Sequence, residues 1–208
     1  MDRESKLLEI LNKRGITDSA EIEEFLSMRP KKTYDPFLLI DMDEGVDLVL
    51  SAVDNGEKIC IYGDYDADGV TATVILMEVL SQLTDDLMYY IPSRFDEGYG
   101  LNVDAVRKIH AAGTGLIITV DCGSVSVGEV ALAHELGMKV LVTDHHRVTD
   151  ALADCPVINP SRPECEYPFR YLAGCGVAFK LAQALPSHPL SSPSPPAPNP
   201  SQHQSLFQ

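Results

Sequence analysis

The sequence contains no apolar run near the roughly 18 residues that a membrane-spanning helix needs. Its first residues, Met1 to Glu4, are mostly polar and lack the apolar core of a signal peptide. These absences predict a soluble, cytoplasmic protein that has no membrane partner. The five cysteines are odd in number and form no Cys-x-x-Cys pair, which argues against a disulfide framework and against a common zinc site. We therefore expect reduced thiols.

Basic side chains are also scarce, since 16 Lys and Arg stand against 31 Asp and Glu and the formal net charge is -15. A surface this acidic repels phosphate backbones unless metal ions or a local basic patch intervene. A module that binds nucleic acid by plain electrostatics is therefore disfavoured. After Leu185 there is no Asp, Glu, Lys or Arg, and seven of the 14 prolines lie there. We expect residues 186–208 to be a disordered Pro/Ser-rich tail, because they cannot bury enough apolar surface to offset the entropy of ordering.

The rest of the chain divides into a helical segment and a segment in which strands and helices alternate. Residues 1–56 carry apolar residues at helical spacing and are predicted as an N-terminal helical segment. Strands are predicted at Lys58–Tyr62, Leu87–Ile91, Leu116–Val120 and Lys139–Val142. Because these strands are apolar throughout and alternate with helices, we expect an α/β fold. It should be a mostly parallel, doubly wound sheet with helices on both faces, preceded by the short N-terminal helices.

Acidic residues and histidines directly follow three of the predicted strands. They are Asp64, Asp66 and Asp68, then Asp121, then Asp144, His145 and His146. The carboxyl ends of parallel strands share one edge of the sheet, so these side chains should converge there. Carboxylates gathered in this way repel one another unless protons or cations compensate them, and carboxylates with imidazoles suit Mn²⁺ or Mg²⁺. The pattern predicts a site for two such ions that hydrolyses a phosphoester.

Three other interpretations apply to parts of this pattern. A calcium EF-hand loop opens with the same Asp-x-Asp-x-Asp-Gly spacing, but its twelfth position would be Ile75 instead of Glu, and a strand precedes it. A phosphatase of the haloacid dehalogenase type would use Asp66 as a nucleophile, but that class leaves Asp144 to His146 without a role. Taken alone, these last residues are also compatible with a solvated turn.

Together the motifs resemble the DHH phosphoesterase family and, within it, the RecJ-type single-strand-specific exonucleases. The matching segments are YGDYDADGVTAT from residue 62, IPSRFDEGYGLN from residue 91, VDCG from residue 120, the Asp-His-His of residues 144–146, and LAGCGVAFKLAQAL from residue 172. The resemblance implies a DHH catalytic domain at residues 57–185 and a 5′-3′ exonuclease on single-stranded DNA, with Mn²⁺ or Mg²⁺, in DNA repair or recombination. Tyr62 stands where branches acting on very short oligonucleotides, cyclic dinucleotides or pyrophosphate usually have His, which favours the exonuclease branch.

The resemblance also implies roles for individual residues. The implied metal ligands are Asp66, Asp68, Asp121 and His145. Asp121 would bridge the two ions and, with His146 facing the scissile phosphate, would be catalytic. Supporting roles, such as orienting a ligand imidazole, fall to Asp64 and Asp144.

Arg94 lies in a glycine-bearing loop and is the candidate for a contact with a substrate phosphate, since a guanidinium binds phosphate through two hydrogen bonds. The alternative for Arg94 is a surface ion pair with Asp96 or Glu97.

Two parts of the family pattern are missing from this sequence. The family's fourth motif supplies a further metal-binding Asp beyond the helix that ends here at Leu185, and its second domain closes over the substrate; neither is present. We therefore expect residues 57–185 to be incomplete at their C-terminal end and to form a fragment with impaired activity. Two other functions stay open: a non-catalytic partner-binding protein on the DHH scaffold, and a small-substrate phosphodiesterase or pyrophosphatase.

Overall fold

The computed structural model describes residues 3–28, 33–148 and 151–187 of the chain. The described residues form two compact units, one that ends at Asp35 and one that begins at Pro36. The first unit contains helices α1 (Arg3–Lys13) and α2 (Ser19–Leu26). Helix α2 begins after Asp18, whose carboxylate accepts hydrogen bonds from the amides of Ala20 and Glu21. This N-cap satisfies two amides that have no partner within the helix.

The second unit is an α/β fold. Its strands are β1 (Lys58–Gly63), β2 (Leu87–Tyr90), β3 (Thr114–Val120), β4 (Lys139–Thr143) and β5 (Val157–Ile158). Its helices are α3 (Met42–Asp54), α4 (Ala67–Leu80), α5 (Val103–Ala111), α6 (Val127–Glu135) and α7 (Gly174–Ala184), with 3-10 turns at Pro36–Leu38 and Leu185–Ser187. All strand pairs are parallel, in the order β2-β1-β3-β4-β5. The predicted α/β fold with a parallel, doubly wound sheet is confirmed, and β5 is an addition that the sequence pattern did not indicate.

The strand order and register define where a site can form. The chain leaves β1 toward β2 and then returns to β3 on the other side of β1, so the switch point lies between β1 and β3. Along the sheet, Gly63 pairs with Val120, Val120 with Thr143, and Thr143 with Ile158. The next residue of each strand therefore lies in one row at the carboxyl edge. That row consists of Asp64, Asp121, Asp144 and Asn159.

The two faces of the sheet are buried in separate cores. Ile59 and Ile61 belong to a core formed with α3, α4 and α7, whereas Cys60 and Tyr62 belong to a core formed with α5 and α6. Because both faces are covered, β1 is apolar on both sides, as the sequence pattern indicated. The sequence grouped α3 with residues 1–56, but α3 buries Val46 in the same core as Ile59 and Ile61.

The described residues include no helix that is both long enough and apolar enough to cross a membrane. The first two residues of the predicted 186–208 tail, Pro186 and Ser187, belong to the 3-10 turn that follows α7. The remainder of that predicted tail, residues 188–208, lies outside the described residues.

Gly69, in the first turn of α4, is expected to be sensitive to substitution. A Cβ atom there would lie 2.6 Å from the carbonyl oxygen of Asp64 and 2.7 Å from its amide nitrogen, and backbone atoms cannot easily move aside. Gly69→Ala should lower the free energy of unfolding by about 1–3 kcal/mol. Gly128 in α6 has no atom within 4 Å of its Cβ position, so Gly128→Ala is the matched control and should be neutral or stabilise by up to ~1 kcal/mol. Urea unfolding followed by circular dichroism measures both, and equal effects would contradict the close approach.

Candidate metal centre

The turn between β1 and α4 holds two carboxylates in different environments. Asp66 is the N-cap of α4 and accepts hydrogen bonds from the amides of Asp68 at 2.8 Å and Gly69 at 3.0 Å. Asp64 is 2% exposed, and its Oδ1 has no hydrogen-bond partner among the described residues. Burial, with a further contribution from the charge of Asp66, raises the pKa of Asp64 above its usual range. An ionised Asp64 is therefore costly unless a cation or proton compensates it.

Asp68 connects the first turn of α4 to the first turn of α7. Its Oδ2 accepts a hydrogen bond from the Gly174 amide and its Oδ1 one from the Cys175 amide, both at 2.7 Å. Burial raises the pKa of Asp68, but the hydrogen bonds outweigh burial and the pKa is lowered. Nε2 of His145 lies 3.5 Å from Oδ2. Each carboxylate oxygen keeps a second lone pair, so Asp68 stays a predicted ligand.

Asp121, directly after β3, occupies the centre of the site. Its backbone has φ 61°, a left-handed conformation that is uncommon for residues other than glycine but that Asp tolerates. Its side chain packs against Gly174, where a Cβ atom would lie 2.6 Å from Oδ1. Oδ1 lies 3.0 Å from Nε2 of His145, yet no hydrogen-bond donor among the described residues is directed at it. Burial, followed by the charges of Asp68 and Asp66, raises the pKa of Asp121 to about 7.

Asp144 organises the loop that follows β4. Its Oδ1 accepts hydrogen bonds from the amides of His145 at 2.7 Å and His146 at 3.0 Å, and it lies 2.9 Å from Nδ1 of His146. Its Oδ2 accepts the Ser124 amide at 3.1 Å. Burial raises the pKa of Asp144, but these hydrogen bonds prevail and bring the pKa to about 2. The same contact with Asp144 raises the pKa of His146.

Two polar residues that the sequence reasoning missed support this loop from β5. The Asn159 amide group donates to the Ser124 hydroxyl and to the His146 carbonyl, both at 2.9 Å. The Ser161 hydroxyl donates to the His145 carbonyl at 2.7 Å. Because β5 is only two residues long, apolar periodicity gave no indication of it. The sequence signal that could have indicated the end of β5 is the Asn159-Pro160 pair that follows its two apolar residues.

The loop of residues 91–102 places Tyr99 and Arg94 at the same edge. The Tyr99 hydroxyl lies 3.3 Å from each ring nitrogen of His146 and donates to the Asp121 carbonyl at 3.4 Å. Tyr99 is a further residue that the sequence reasoning missed, although it lies within a motif. The Arg94 guanidinium lies 5.3 Å from the centre of the Tyr65 ring, and its charge offsets a small part of the rise that burial causes in the pKa of Asp64.

Two anchors hold this loop, and neither involves Arg94. Tyr62 is fully buried, and its hydroxyl donates to the Gly100 carbonyl at 2.8 Å. Glu97 accepts hydrogen bonds from the Tyr90 hydroxyl at 2.5 Å and from Lys108 at 2.7 Å. Hydrogen bonds from Lys108 and Tyr90 lower the pKa of Glu97 to about 2. Glu97 is thus paired with Lys108, and the guanidinium of Arg94 contacts an aromatic ring instead.

Two groups of three side chains could each hold a metal ion, because one ligand atom from every member lies within 4.8 Å of the others. The first group is Asp64, Asp66 and Asp121, and the second is Asp121, His145 and His146. Asp121 belongs to both, which is the arrangement expected of a carboxylate that bridges two ions. Mostly oxygen donors with one or two imidazoles suit Mn²⁺ or Mg²⁺. The buried oxygens of Asp64 and Asp121 that lack a donor also fit such cations.

Comparison with known proteins identifies a protein family and several similar exonucleases. The family model "DHH family, N-terminal domain" matches residues 58–200. The single-stranded-DNA-specific exonuclease RecJ of Bacillus subtilis (strain 168) is 47% identical over 177 residues, which are 85% of this chain and 22% of that protein. The crystal structure of exonuclease RecJ bound to manganese matches with a TM-score of 0.66 and 36% identity, over 72% of this chain and 38% of that one. RecJ of Thermus thermophilus in complex with Mn²⁺ matches with a TM-score of 0.64 and 30% identity, over 85% of this chain and 24% of that one. The chain thus spans between about a fifth and two fifths of the length of these relatives.

The raised pKa of Asp121 gives a prediction about the metal-free chain. The folded pKa of about 7 lies above the unfolded value near 3.8, so the folded chain binds an extra proton between these values. The contribution of Asp121 to metal-free stability should therefore be lost as the pH rises from about 4 to about 7. Asp121→Asn should remove this dependence and raise metal-free stability at pH 8 by about 2–4 kcal/mol.

The same Asp121→Asn variant should lose most of the stabilisation that Mn²⁺ gives the unsubstituted chain. Thermal unfolding at pH 5 and pH 8, with and without Mn²⁺, measures both effects. A variant that is less stable without metal, or that keeps the full Mn²⁺ response, would contradict the assignment of Asp121.

Proposed function

Because the chain belongs to the DHH family, and its relatives are RecJ exonucleases, we propose that it carries the metal site of a phosphodiester hydrolase acting 5′ to 3′ on single-stranded DNA. The observation that carries this proposal is Asp121, a buried carboxylate shared by two groups of potential ligands. The chain covers 22% of the Bacillus subtilis relative, so the activity of that whole protein is part of the proposal. We also place the protein in the cytoplasm, with single-stranded DNA as its partner and DNA repair or recombination as its process.

We assign Asp66, Asp68, Asp121 and His145 as metal ligands, with Asp121 between the two ions. Asp64 joins this set, because its buried Oδ1 has no other partner among the described residues. When bound, Mn²⁺ or Mg²⁺ would supply an activated water and would neutralise charge on the phosphoryl group.

His146 is the proposed contact of the chain with the scissile phosphate. Asp144 holds Nδ1 of His146 at 2.9 Å, which fixes the ring, and Nε2, which the Tyr99 hydroxyl borders at 3.3 Å, is the nitrogen proposed to meet the substrate. Because Asp144 raises the pKa of His146, the imidazole keeps its proton at higher pH and can donate it to a phosphate oxygen. Tyr99 borders the same ring and limits its rotation.

Arg94 is the proposed contact with a phosphate further along the strand. The Arg94 side chain is exposed and contacts the ring of Tyr65, which stands between Asp64 and Asp66 in the sequence. A positive charge at this place would offset the negative charges of these two acids. The chain has the acids Asp64, Asp66 and Asp121 of the candidate metal centre as well as Arg94. The presence of these acids favours catalysis over a purely partner-binding role. Tyr62 is buried beneath the loop of residues 91–102, where its hydroxyl donates to Gly100, so this residue is not a metal ligand. A residue other than a metal ligand at position 62 favours a polymeric substrate over pyrophosphate.

The test measures metal binding and hydrolysis separately. Calorimetry with Mn²⁺ should give binding that Asp121→Ala weakens at least tenfold. With protein in excess over a 5′-labelled single strand, Mn²⁺ should produce labelled mononucleotide, and Asp121→Ala should abolish this product. Asp54→Ala is the matched control, because Asp54 is an exposed acid at the end of α3, which leads into the opposite edge of the sheet.

Each contrary result identifies a different error. Absence of Mn²⁺ binding contradicts the metal centre itself. Mn²⁺ binding without any hydrolysis in excess protein favours the non-catalytic alternative. Release of phosphate from pyrophosphate, with the strand left intact, favours the small-substrate alternative.

A further inference from the structure

The outer side of β5 has no neighbouring strand among the described residues, because β5 is the last strand in the order of the sheet. The carbonyls of Pro156 and Ile158 accept hydrogen bonds from the amides of Val142 and Asp144, so these two residues face β4. Val157 stands between them and directs its backbone amide and carbonyl to the outer side. Val157 is fully buried, and buried backbone groups without partners are costly.

Two side chains take the place of the missing neighbour. The Val157 amide donates to Oδ2 of Asp41 at 2.9 Å, and Nη1 of Arg162 donates to the Val157 carbonyl at 2.9 Å. The same Nη1 also donates to Oδ2 of Asp41 at 2.5 Å. Nε of Arg162 donates to Glu164 at 2.8 Å, which orients the plane of the guanidinium. The Asp41–Arg162 pair thus completes the hydrogen bonding of β5 as a further strand would.

The backbone of Asp41 is adapted to this pair and not to the helix that it precedes. Asp41 is the N-cap of α3, a position at which Asp usually accepts hydrogen bonds from the first helical amides. Its carboxylate makes no such bond, and its φ of 61° lies in the left-handed region. Residues other than glycine adopt that region at a cost in free energy and are often found at functional sites. The contacts with Val157 and Arg162 explain this conformation.

The turn that leads from β5 to Arg162 contacts the loop of the two histidines. The Arg162 amide donates to the Asn159 carbonyl at 3.3 Å, and the Ser161 amide donates to Oδ1 of Asn159 at 2.7 Å. The side chains of Asn159 and Ser161 donate in turn to the carbonyls of His146 and His145. A shift of Arg162 would therefore reach both histidines through two residues.

β5 by itself gives this turn few hydrogen bonds. It is two residues long and pairs with β4 at Val142 and Thr143. A side chain that binds a metal ion has to be held within about 0.5 Å of its working position. Arg162 is 9% exposed, so its separation from Asp41 would leave a buried charge with less compensation. The pair therefore resists movement of the turn.

We propose that Asp41 and Arg162 are positioning residues for His145 and His146. Their pair stands in for a sixth strand, fixes β5 and the turn of residues 159–162, and so sets the place of both imidazoles at the carboxyl edge of the sheet. Asp41 and Arg162 act through Asn159 and Ser161. The inference rests on the proposed function for the roles of the two histidines.

The first measurement uses the chain without metal. Arg162→Leu removes the donors of the pair and keeps an apolar side chain. NMR relaxation dispersion, which detects motion on the microsecond to millisecond timescale, should be larger at the amides of His145 and His146 than in the unsubstituted chain. The amides of β1 should be unaffected.

Calorimetry with Mn²⁺ measures the consequence for the metal centre. Arg162→Leu should weaken Mn²⁺ binding roughly tenfold, as loss of a residue that supports a metal ligand does. Asp41→Gly should weaken it by the same factor, because glycine adopts the left-handed backbone without strain and only the carboxylate is lost. The double variant should bind no more weakly than either single variant, since the two side chains act as a unit. Arg162→Lys, which keeps a charged donor, should recover most of the affinity.

Lys139→Met is the matched control. Lys139 is the first residue of β4, and its amine forms an ion pair with Glu57 at 2.7 Å. This variant also removes an ion pair beside the sheet, but at the edge opposite the candidate metal centre. Its Mn²⁺ affinity should stay within about twofold of the unsubstituted chain. Thermal unfolding gives the stability of every variant.

The outcomes separate this inference from the proposed function, because the NMR measurement needs no metal. If the unsubstituted chain does not bind Mn²⁺, the metal centre is wrong, while larger dispersion at the two histidines still supports the positioning role. Unchanged dispersion, or unchanged Mn²⁺ affinity in a chain that binds this ion, overturns it and leaves the pair a role in stability alone. Equal weakening of Mn²⁺ binding by Lys139→Met also overturns it. Asp41→Gly, which keeps Arg162, decides the question if Arg162→Leu does not fold.

Discussion

The candidate site depends on the parallel register of four strands. Because Gly63, Val120, Thr143 and Ile158 are paired across the sheet, the polar residue that follows each of them stands in one row. Three of these four residues are aspartates, and all four are buried although they lie at the edge of the sheet. Repulsion among them is an unavoidable result of that register. The hydrogen bonds around Asp144 and Asp68 relieve it in part, whereas Asp64 and Asp121 keep oxygens that no donor among the described residues satisfies. The fold thus concentrates its unsatisfied charge at one place, next to the switch point of the sheet.

Helix α7 packs on the face of the sheet that carries the core of Ile59 and Ile61, and it borders the site from that side. Its first two amides donate hydrogen bonds to Asp68, and Gly174, which has no Cβ, leaves space for the side chain of Asp121. The partial positive charge of a helix N-terminus favours this carboxylate without adding a competing side-chain ligand. On the other face of the sheet, Tyr62 and Glu97 fix the loop that carries Arg94 and Tyr99. The two cores therefore contribute different parts of the site: one positions acids, and the other positions the loop that carries Arg94 and Tyr99.

The sequence predicted the fold class and the convergence of three polar clusters, because long apolar strands and helical periodicity are strong local signals. It also indicated Asp121 as the shared carboxylate, but only through the resemblance of VDCG to a family motif. It did not predict β5, Asn159 or Ser161, since two residues give no period to detect. The division of roles between Asp64 and Asp68 was also out of reach, because it depends on amides more than 100 residues away in α7. Tyr99 was missed for a similar reason, as its contact with His146 spans 47 residues.

The hydrogen bonds between Asp68 and α7 have a consequence for observing the site. The amides of Gly174 and Cys175 donate to a carboxylate whose strength as an acceptor changes whenever a neighbouring charge is gained or lost. Their exchange with deuterated solvent is therefore coupled to the ionic state of the whole edge, although neither residue carries an ionised side chain there. The exchange rates of the first two amides of α7 therefore report on the charge state of the carboxylates at this edge.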